Sequence, residues 1–242
     1  QKNQHFITTN TERRMFLEKQ GVDVEIEYPF TEDFMNMEPE AFIEEILIGR
    51  LHAKYVVVGT DYHFGKGRMG NAQMLLERGP EYGFEKERYQ EREISSTYVR
   101  EELRLGHMET VNVLLGRPYS IYGIVSKGKQ LGRQLNLPTL NIYPPDSKLL
   151  PPNGVYASVT RLDGKEYFGV TNLGVRPTLD DSPLLSVETN LFDYNDDAYG
   201  HYIEVQLMHF LRQEMKFDSI ETLKKQMESD ASFAREMFLL KN

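Results

Sequence analysis

Apolar residues in the first part of the chain follow helical spacing in some stretches and alternate with polar residues in others. A hydroxyl at Thr9 and a glycine stop at Gly21 bound a predicted short helix. Alternation over residues 22–28 predicts a half-buried strand, and the apolar run 55–58 predicts a buried one. Between them Pro39 begins a predicted helix with one apolar face, made of Phe42, Ile43, Ile46 and Leu47. Helices and strands that alternate in this way predict an α/β domain.

The pattern changes near residue 116. Hydroxyl residues at 95–97 begin a predicted helix that ends at Gly106, and residues 108–115 form another short helix. The run Gly116-Arg117-Pro118 then indicates a hinge between domains. Runs rich in β-branched and aromatic residues follow and predict strands at 120–126, 155–161, 166–171, 185–192 and 202–208. Short strands separated by turns predict a small antiparallel β-barrel.

A C-terminal helix is the clearest single element of the sequence. Asp218 and Glu221 resemble a capping box at its start. Its apolar stripe, which we expect to pack against the barrel, consists of Ile220, Leu223, Met227, Ala231, Ala234 and Phe238. The patterns together predict an α/β domain over residues 1–115 and a barrel domain with a C-terminal helix over residues 116–242.

Composition narrows the class of protein. The 242 residues are 40% hydrophobic and 27% charged, which is typical of a soluble, packed protein. A formal net charge of −9 argues against a nucleic-acid partner, and the absence of cysteine excludes disulfides, thiolate metal sites and cysteine nucleophiles. No apolar run approaches the roughly 20 residues of a membrane span, so we expect a cytoplasmic protein. The sequence does not predict an oligomeric state.

The segment 123–130 comes close to the phosphate-binding pattern G-x-x-x-x-G-K-[ST], but Gln130 replaces the hydroxyl residue that holds magnesium. Gly132 and Pro138 would break the helix that follows such a loop, which argues against a P-loop ATPase. The loop predicts an ATP-phosphate site that comprises Gly123, Lys127, Gly128, Lys129 and Arg133. The alternative is a glycine turn between strands with solvated lysines.

A magnesium ligand must then come from elsewhere. Thr139 and Asn141 are the nearest residues with hard oxygen donors. Taken alone, Pro138, Thr139 and Asn141 are also common turn residues. Next to the basic loop they predict a nucleotide and Mg²⁺ site built on loop and strand.

Five ordered segments resemble the riboflavin kinase family, and together they extend over residues 116–242. They are 116–119, 128–141, 149–156, 169–178 and 210–217. The resemblance implies that Thr139 and Asn141, in the family's Pro-Thr-Ala-Asn motif, hold Mg²⁺. Leu140 departs from the family's alanine, and its apolar side chain is expected to change packing more than chemistry.

The same resemblance implies a catalytic base and part of a flavin site. Glu188 corresponds to the family's glutamate, whereas a solvated surface glutamate is the ordinary interpretation of such a residue. We prefer Glu188 as the base over Glu166, Glu204 and Glu214 mainly because of the resemblance. Arg212 and Met215 are implied on the flavin side.

The first 115 residues resemble the FMN adenylyltransferase half of bacterial bifunctional riboflavin kinase/FAD synthetases, which has a Rossmann-like nucleotidylyltransferase fold. The similar segments are the glycine-rich loop 58–70 and residues 94–100. They imply a nucleotide and flavin site made of Asp61, Phe64, Arg68, Ser96, Thr97 and Arg100. Physically, hydroxyls at a helix start and an arginine one turn later suit phosphate oxygens, and a plain helix cap is the alternative.

One family motif is absent from the sequence. It is a histidine-bearing segment after the opening strand, and His5 has no such surroundings. The stretch 81–90 is also short and polar for the strand expected before residue 94. We expect either that residues precede Gln1 or that part of the adenylyltransferase site has been lost.

The resemblances imply a flavin-cofactor enzyme with small-molecule substrates. It would phosphorylate riboflavin to FMN with ATP and Mg²⁺, and then adenylylate FMN to FAD with release of pyrophosphate. A flavin- or nucleotide-binding regulatory protein without turnover is the alternative from another class. Formation of FMN separates the two hypotheses.

Overall fold

The computed structural model describes residues 5–77, 88–126, 138–177 and 183–239. In chain order its helices are α1 (Asn10–Lys19), α2 (Glu32–Met35), α3 (Pro39–Ala41), α4 (Ala72–Leu76), α5 (Ser96–Leu105), α6 (Met108–Leu115) and α7 (Ile220–Leu239), with a π-helix at Phe42–Arg50 and a 3-10 turn at Lys66–Arg68. Its strands are β1 (His63–Phe64), β2 (Gly70–Asn71), β3 (Arg88–Tyr89), β4 (Arg92–Glu93), β5 (Tyr119–Ile124), β6 (Leu140–Ile142), β7 (Gly154–Leu162), β8 (Lys165–Pro177), β9 (Pro183–Leu191) and β10 (Tyr202–Arg212).

Contacts divide these elements into two compact units. Unit 1 comprises Gln1–Gly21 and Glu87–Asn242, and unit 2 comprises Val22–Lys86. The predicted domains, 1–115 and 116–242, were drawn from changes in sequence pattern. That division stays a prediction.

Unit 2 is organised around a small aromatic cluster. The ring centroids of Phe34 and Phe42 are 6.0 Å apart, and those of Phe42 and Phe64 are 5.2 Å apart. Ile43, Ile46 and Phe64 are buried. The helix predicted after Pro39 is present as α3 and the π-helix that continues it.

The two strands predicted in unit 2 are wrong. Residues 22–28 and 55–58 are described and have no strand pairing, and Val24 and Val57 are 72% and 82% exposed. A strand forms only where a neighbour satisfies its backbone N–H and C=O groups. Among the described residues of unit 2 the only paired strands are β1 and β2, so the Rossmann-like sheet stays a prediction.

The helices predicted in unit 1 are confirmed. Thr9 and Glu12 form a capping box at the start of α1. Ser95 caps α5, which ends at Gly106 in the left-handed conformation that favours glycine. The predicted helix at 108–115 is present as α6.

The main sheet of unit 1 is a curled, antiparallel half-barrel with the strand order β5-β10-β7-β8-β9-β6. Its two edges approach each other where the Ser126 N–H donates to the Asn141 carbonyl at 2.8 Å. Gly123 permits this approach, because a Cβ there would lie 2.9 Å from Cβ of Ile142. The five predicted barrel strands are confirmed, whereas the short strand β6 was not predicted.

The two faces of the half-barrel have different partners. One face carries the core, with Tyr119, Tyr156, Leu173, Val187 and Leu207 among its fully buried side chains. The other face packs against α7 through a smaller cluster that includes Ala157, Val159, Phe192, Ala234 and Phe238. The helix therefore covers part of the outer face of the sheet, as its apolar stripe predicts.

The start of α7 differs from the prediction. The Thr222 N–H donates to Ser219 Oγ at 3.2 Å, and the Ser219 N–H donates to Thr222 Oγ1 at 3.3 Å. The cap is therefore Ser219 with Thr222, one residue beyond the predicted pair of Asp218 and Glu221. A hydroxyl suits this position because it both donates and accepts hydrogen bonds.

A buried ion pair fixes the N-terminal segment to the sheet. Lys148 is only 2% exposed, and its Nζ lies 2.7 Å from Glu12 Oε2, 3.0 Å from the Ile7 carbonyl and 2.8 Å from the Ser120 carbonyl. These three acceptors match the three N–H donors of an ammonium group. Backbone hydrogen bonds of Phe6 on either side of Lys148 complete the attachment.

We expect the free energy of unfolding to rise between pH 8 and pH 10. Burial lowers the pKa of Lys148 to about 8, against the opposing charge of Glu12, whereas the unfolded lysine keeps its proton until about pH 10.4. In this window the unfolded state binds more protons, so stability increases with pH, by at most about 3 kcal/mol. Above pH 10 the sign reverses, because burial raises the pKa of Tyr119 well above its ordinary value.

Urea unfolding at pH 7, 8, 9 and 10 measures this dependence. Lys148→Met is the matched variant, and its free energy of unfolding should not rise between pH 8 and pH 10. A wild-type stability that is flat or falling between pH 8 and pH 10 would contradict the prediction.

Candidate active site

Three polar side chains line up across three adjacent strands of the half-barrel. Asn141 on β6 lies directly opposite Glu188 on β9, and Glu188 lies directly opposite Asn172 on β8. Directly opposed residues of antiparallel strands project from the same face, with Cβ atoms about 4.5–5.5 Å apart. We call these three residues the polar row.

Asn141 forms the end of the polar row nearest the sheet edge, and Thr139 lies two residues before it. Asn141 is 3% exposed, and its Nδ2 donates to the Thr139 carbonyl at 3.3 Å. Together the two side chains supply a hydroxyl and an amide oxygen, which are hard donors of the kind that Mg²⁺ prefers. The residues present therefore fit the ion that the sequence implies.

Glu188 occupies the centre of the polar row. It is half-buried, and its Oε1 accepts a hydrogen bond from Ser186 Oγ at 3.3 Å. Val187 beside it is fully buried in the core, so the strand alternation expected from the sequence is present. A carboxylate held between two amide side chains can accept a proton from a hydroxyl group placed against the row.

The other glutamates considered as bases fall into two groups. Glu166 lies at the end of β8 far from the polar row, where its Oε1 accepts a hydrogen bond from Arg161 Nε at 2.8 Å. Glu204 accepts from Ser120 Oγ at 2.7 Å; burial opposes its ionisation, but hydrogen bonds from Ser120 and Gln206 outweigh burial and lower its pKa. Only Glu214 lies beside the polar row, with its Oε1 3.4 Å from Asn172 Nδ2.

The residues implied on the flavin side lie at the end of β10 and just after it. Arg212 is held by Asp230 of α7 through Nε at 3.0 Å and Nη2 at 2.7 Å. Met215 is 54% exposed. The segment 213–217 follows β10. Glu214 in this segment contacts Asn172 of the polar row, and Met215 is the next residue along the chain.

The predicted ATP-phosphate site lies mostly outside the described residues. Lys127, Gly128, Lys129 and Arg133 fall there. Gly123 is described and lies within β5 rather than in a loop. Its observed contribution is the close packing against Ile142.

The residues implied in adenylyl transfer belong to both units. In unit 2, Asp61 and Arg68 are exposed, and Phe64 is buried in the aromatic cluster. In unit 1, Ser96 and Thr97 are exposed in the first turn of α5. Arg100 donates through Nη1 to the His5 carbonyl at 2.7 Å.

Sequence reasoning did not single out Asn172. The residue stands inside the segment 169–178 that resembles the kinase family, but its own pattern is that of an ordinary polar strand position. The signal that identifies it is strand register, which pairs it with Glu188. Register between strands is not encoded in the spacing along either strand.

Within the described ranges of the chain, no helix is long and apolar enough to cross a membrane. The same residues contain no group of three or more His, Cys, Asp or Glu side chains placed to hold a metal ion.

Two family models match the chain in succession. The FAD synthetase model matches residues 1–102, and the riboflavin kinase model matches residues 115–238. The second match contains the whole half-barrel and nearly all of α7. This match and the fold together define this part of the chain as a protein of the riboflavin kinase class.

Known proteins match both parts together. The chain is 39% identical over 229 residues to the bifunctional riboflavin kinase/FMN adenylyltransferase of Haemophilus influenzae, a match that covers 92% of this chain and 74% of the relative. It is 36% identical to the Bacillus subtilis protein of the same name, over 92% of this chain and 72% of that one. The chain belongs to the family of bifunctional riboflavin kinase/FMN adenylyltransferases.

A solved structure is also similar over most of the chain. It is the crystal structure of a macrolide-efflux protein from Streptococcus pneumoniae, with a TM-score of 0.86 and 27% sequence identity. The match covers 96% of this chain and 76% of that one.

Proposed function

We propose that the polar row is the site at which this chain phosphorylates riboflavin. Family membership makes the chain an enzyme of flavin cofactor biosynthesis, with riboflavin kinase and FMN adenylyltransferase activities and with FMN and FAD as products. The observation that supports the location is the register that places Glu188 directly between Asn141 and Asn172. This register puts Glu188, which the resemblance implies as the base, next to Asn141, which it implies as a metal ligand.

The chemistry assigned to the row is transfer of the γ-phosphoryl group of ATP to an alcohol. The primary ribityl hydroxyl of riboflavin attacks the γ-phosphorus, its proton passes to Glu188, and ADP leaves, which yields FMN. Thr139 and Asn141 would hold Mg²⁺, which supplies charge neutralisation at the phosphates when bound. Lys127, Gly128, Lys129 and Arg133, together with Gly123 of β5, would bind the remaining phosphate oxygens.

Arg212 and Met215 are assigned to the flavin side of this site. Arg212 is engaged with Asp230, so its contribution is to fix the segment that follows β10 against α7. Met215 has an exposed thioether, which suits contact with an aromatic ring. The flavin would therefore lie along the segment 213–217, with its ribityl chain directed towards Glu188.

The adenylyltransferase activity is assigned to the other residues that the resemblance implies. FMN attacks the α-phosphorus of a second ATP, which yields FAD and pyrophosphate. Exposed Ser96 and Thr97 at the start of α5 suit phosphate oxygens, because N–H groups and the positive end of the helix dipole meet there. Arg100 is one turn further on in unit 1. The resemblance also assigns Asp61, Phe64 and Arg68 of unit 2 to this activity.

The proposal is tested by incubating the protein with riboflavin, ATP and Mg²⁺ and separating the flavins by chromatography. FMN is expected, and FAD is expected to follow as FMN accumulates. Wild-type protein that forms no FMN but is stabilised by riboflavin or ATP would overturn the kinase in favour of a binding protein. FMN without FAD would overturn only the second activity.

We expect Asn141→Ala to weaken the response to Mg²⁺. Loss of the amide oxygen removes one of two side-chain ligands, so the Mg²⁺ concentration for half-maximal FMN formation should rise about tenfold or more. Titration of Mg²⁺ at saturating riboflavin measures this, and chelation of the metal should abolish FMN formation in all variants. Asn195→Ala, at an exposed asparagine outside the sheet, is the matched control, and an equal response in both variants would contradict the assignment.

A further inference from the structure

Two carboxylates stand beside Asn172, and the proposed mechanism uses only one of them. Glu188 is its partner across the strands. Glu214 contacts it from the segment that follows β10, with Oε1 3.4 Å from Asn172 Nδ2. Glu214 therefore reaches across the sheet to β8, although it belongs to the chain that leaves β10.

Gly174 makes this position of Glu214 possible. A Cβ at residue 174 would lie 2.6 Å from Glu214 Oε1 and 3.5 Å from Asn172 Nδ2. The φ angle of Gly174 is not positive, unlike that of Gly154 or Gly164. Backbone conformation therefore does not explain a glycine here, whereas the space that the Glu214 carboxylate occupies does.

The two carboxylates differ in surroundings. Glu188 is half-buried in the middle of a strand, and its other cross-strand neighbour is Asn141, a candidate metal ligand. Glu214 is exposed and is followed directly by Met215, on the proposed flavin side. The first position suits a base close to the phosphates, and the second suits a group that binds the part of the substrate further from them.

We propose that Glu214 is a substrate-binding residue that accepts hydrogen bonds from the secondary hydroxyls of the ribityl chain, and that Asn172 and Gly174 position it. The inference rests on the proposed kinase function of the polar row. A polyol presents O–H donors along its length, and an ionised carboxylate is acceptor-only, so the two are complementary. With Asn172 between them, Glu214 would bind the chain while Glu188 takes the proton of its terminal hydroxyl.

Steady-state kinetics of Glu214→Gln separate this role from that of a base. We expect the KM for riboflavin to rise about tenfold and kcat to change less than threefold, because a charged hydrogen bond in substrate binding is weakened while the reacting groups remain. Gly174→Ala should produce the same change by displacing the Glu214 carboxylate. The double variant should show no further rise in KM, because both substitutions remove one interaction.

Lumiflavin, which carries a methyl group in place of the ribityl chain, tests which part of the substrate is bound. As a competitive inhibitor it should bind wild type and Glu214→Gln with equal affinity. Glu166→Gln, which alters an exposed glutamate at the far end of β8, is the matched control and should leave KM unchanged.

Each other outcome has a definite meaning. A kcat that falls a hundredfold with unchanged KM would overturn the inference and make Glu214 the base. Equal weakening of lumiflavin would place Glu214 against the ring and overturn the polyol assignment, and an unchanged KM for riboflavin would overturn the inference altogether. If wild type forms no FMN, the proposed function itself fails, which is distinct from all three.

Discussion

Replacing Glu188 with glutamine is expected to lower kcat for FMN formation by about 10²–10⁴-fold. The amide keeps the size of the side chain but cannot take the proton of the attacking hydroxyl. Glu188 lies between the side chains of Asn141 and Asn172, so the isosteric change should preserve the packing of the polar row. The KM for riboflavin should change little, because the removed function acts in the transition state.

Quench-flow or chromatographic assay of FMN formation at saturating substrates measures this loss. Glu166→Gln is again the matched control, since Glu166 is an exposed strand glutamate paired with Arg161. Far-ultraviolet circular dichroism should be the same for both variants and wild type. A Glu188→Gln protein with wild-type kcat would remove Glu188 from the role of base.

Replacing Glu12 with glutamine is expected to lower the free energy of unfolding by about 3–5 kcal/mol at pH 7. The substitution leaves the ammonium of Lys148, which is 2% exposed, without its compensating carboxylate. Two carbonyls, of Ile7 and Ser120, still accept from Nζ, but neither carries a net charge. A buried charge without a partner is among the few causes of so large a loss.

The pH dependence of this loss identifies its cause. Raising the pH from 7 to 9 should shrink the cost of Glu12→Gln, because Lys148, with its pKa lowered to about 8 already in the wild type, can then lose its proton. Urea unfolding at both pH values measures the change. Glu18→Gln, at an exposed position on the same helix, should cost less than about 0.5 kcal/mol, and a Glu12→Gln cost equally small would contradict the prediction.

Because α1 is attached to the half-barrel, the limits of the two family-model matches differ from the limits of the two compact units. The FAD synthetase model matches residues 1–102, yet the segment that contains Glu12 packs in unit 1 with the sheet that the riboflavin kinase model matches. Boundaries drawn from sequence similarity follow ancestry, whereas compact units follow burial and hydrogen bonding. Residues 5–21 and 88–102 are therefore matched by the FAD synthetase model but pack in the same compact unit as the half-barrel.

The sequence by itself determined the elements whose signals are local. Capping hydroxyls, terminal glycines and apolar periodicity correctly predicted α1, α5 and α6. Apolar periodicity predicted α7, although not its cap, and β-branched runs predicted five of the six strands of the half-barrel. These signals work because helix caps and side-chain alternation involve residues only a few positions apart. The ordered motifs likewise indicate the family from the sequence alone.

Only the tertiary structure decided which side chains meet. Asn141, Asn172 and Glu188 are brought together by strand register, and Glu12 and Lys148 meet across 136 residues of chain. The predicted strands at 22–28 and 55–58 do not form, because the described residues offer them no pairing partner. Spacing along a chain sets which way a side chain faces, but pairing between distant segments sets what it faces, and that depends on the whole fold.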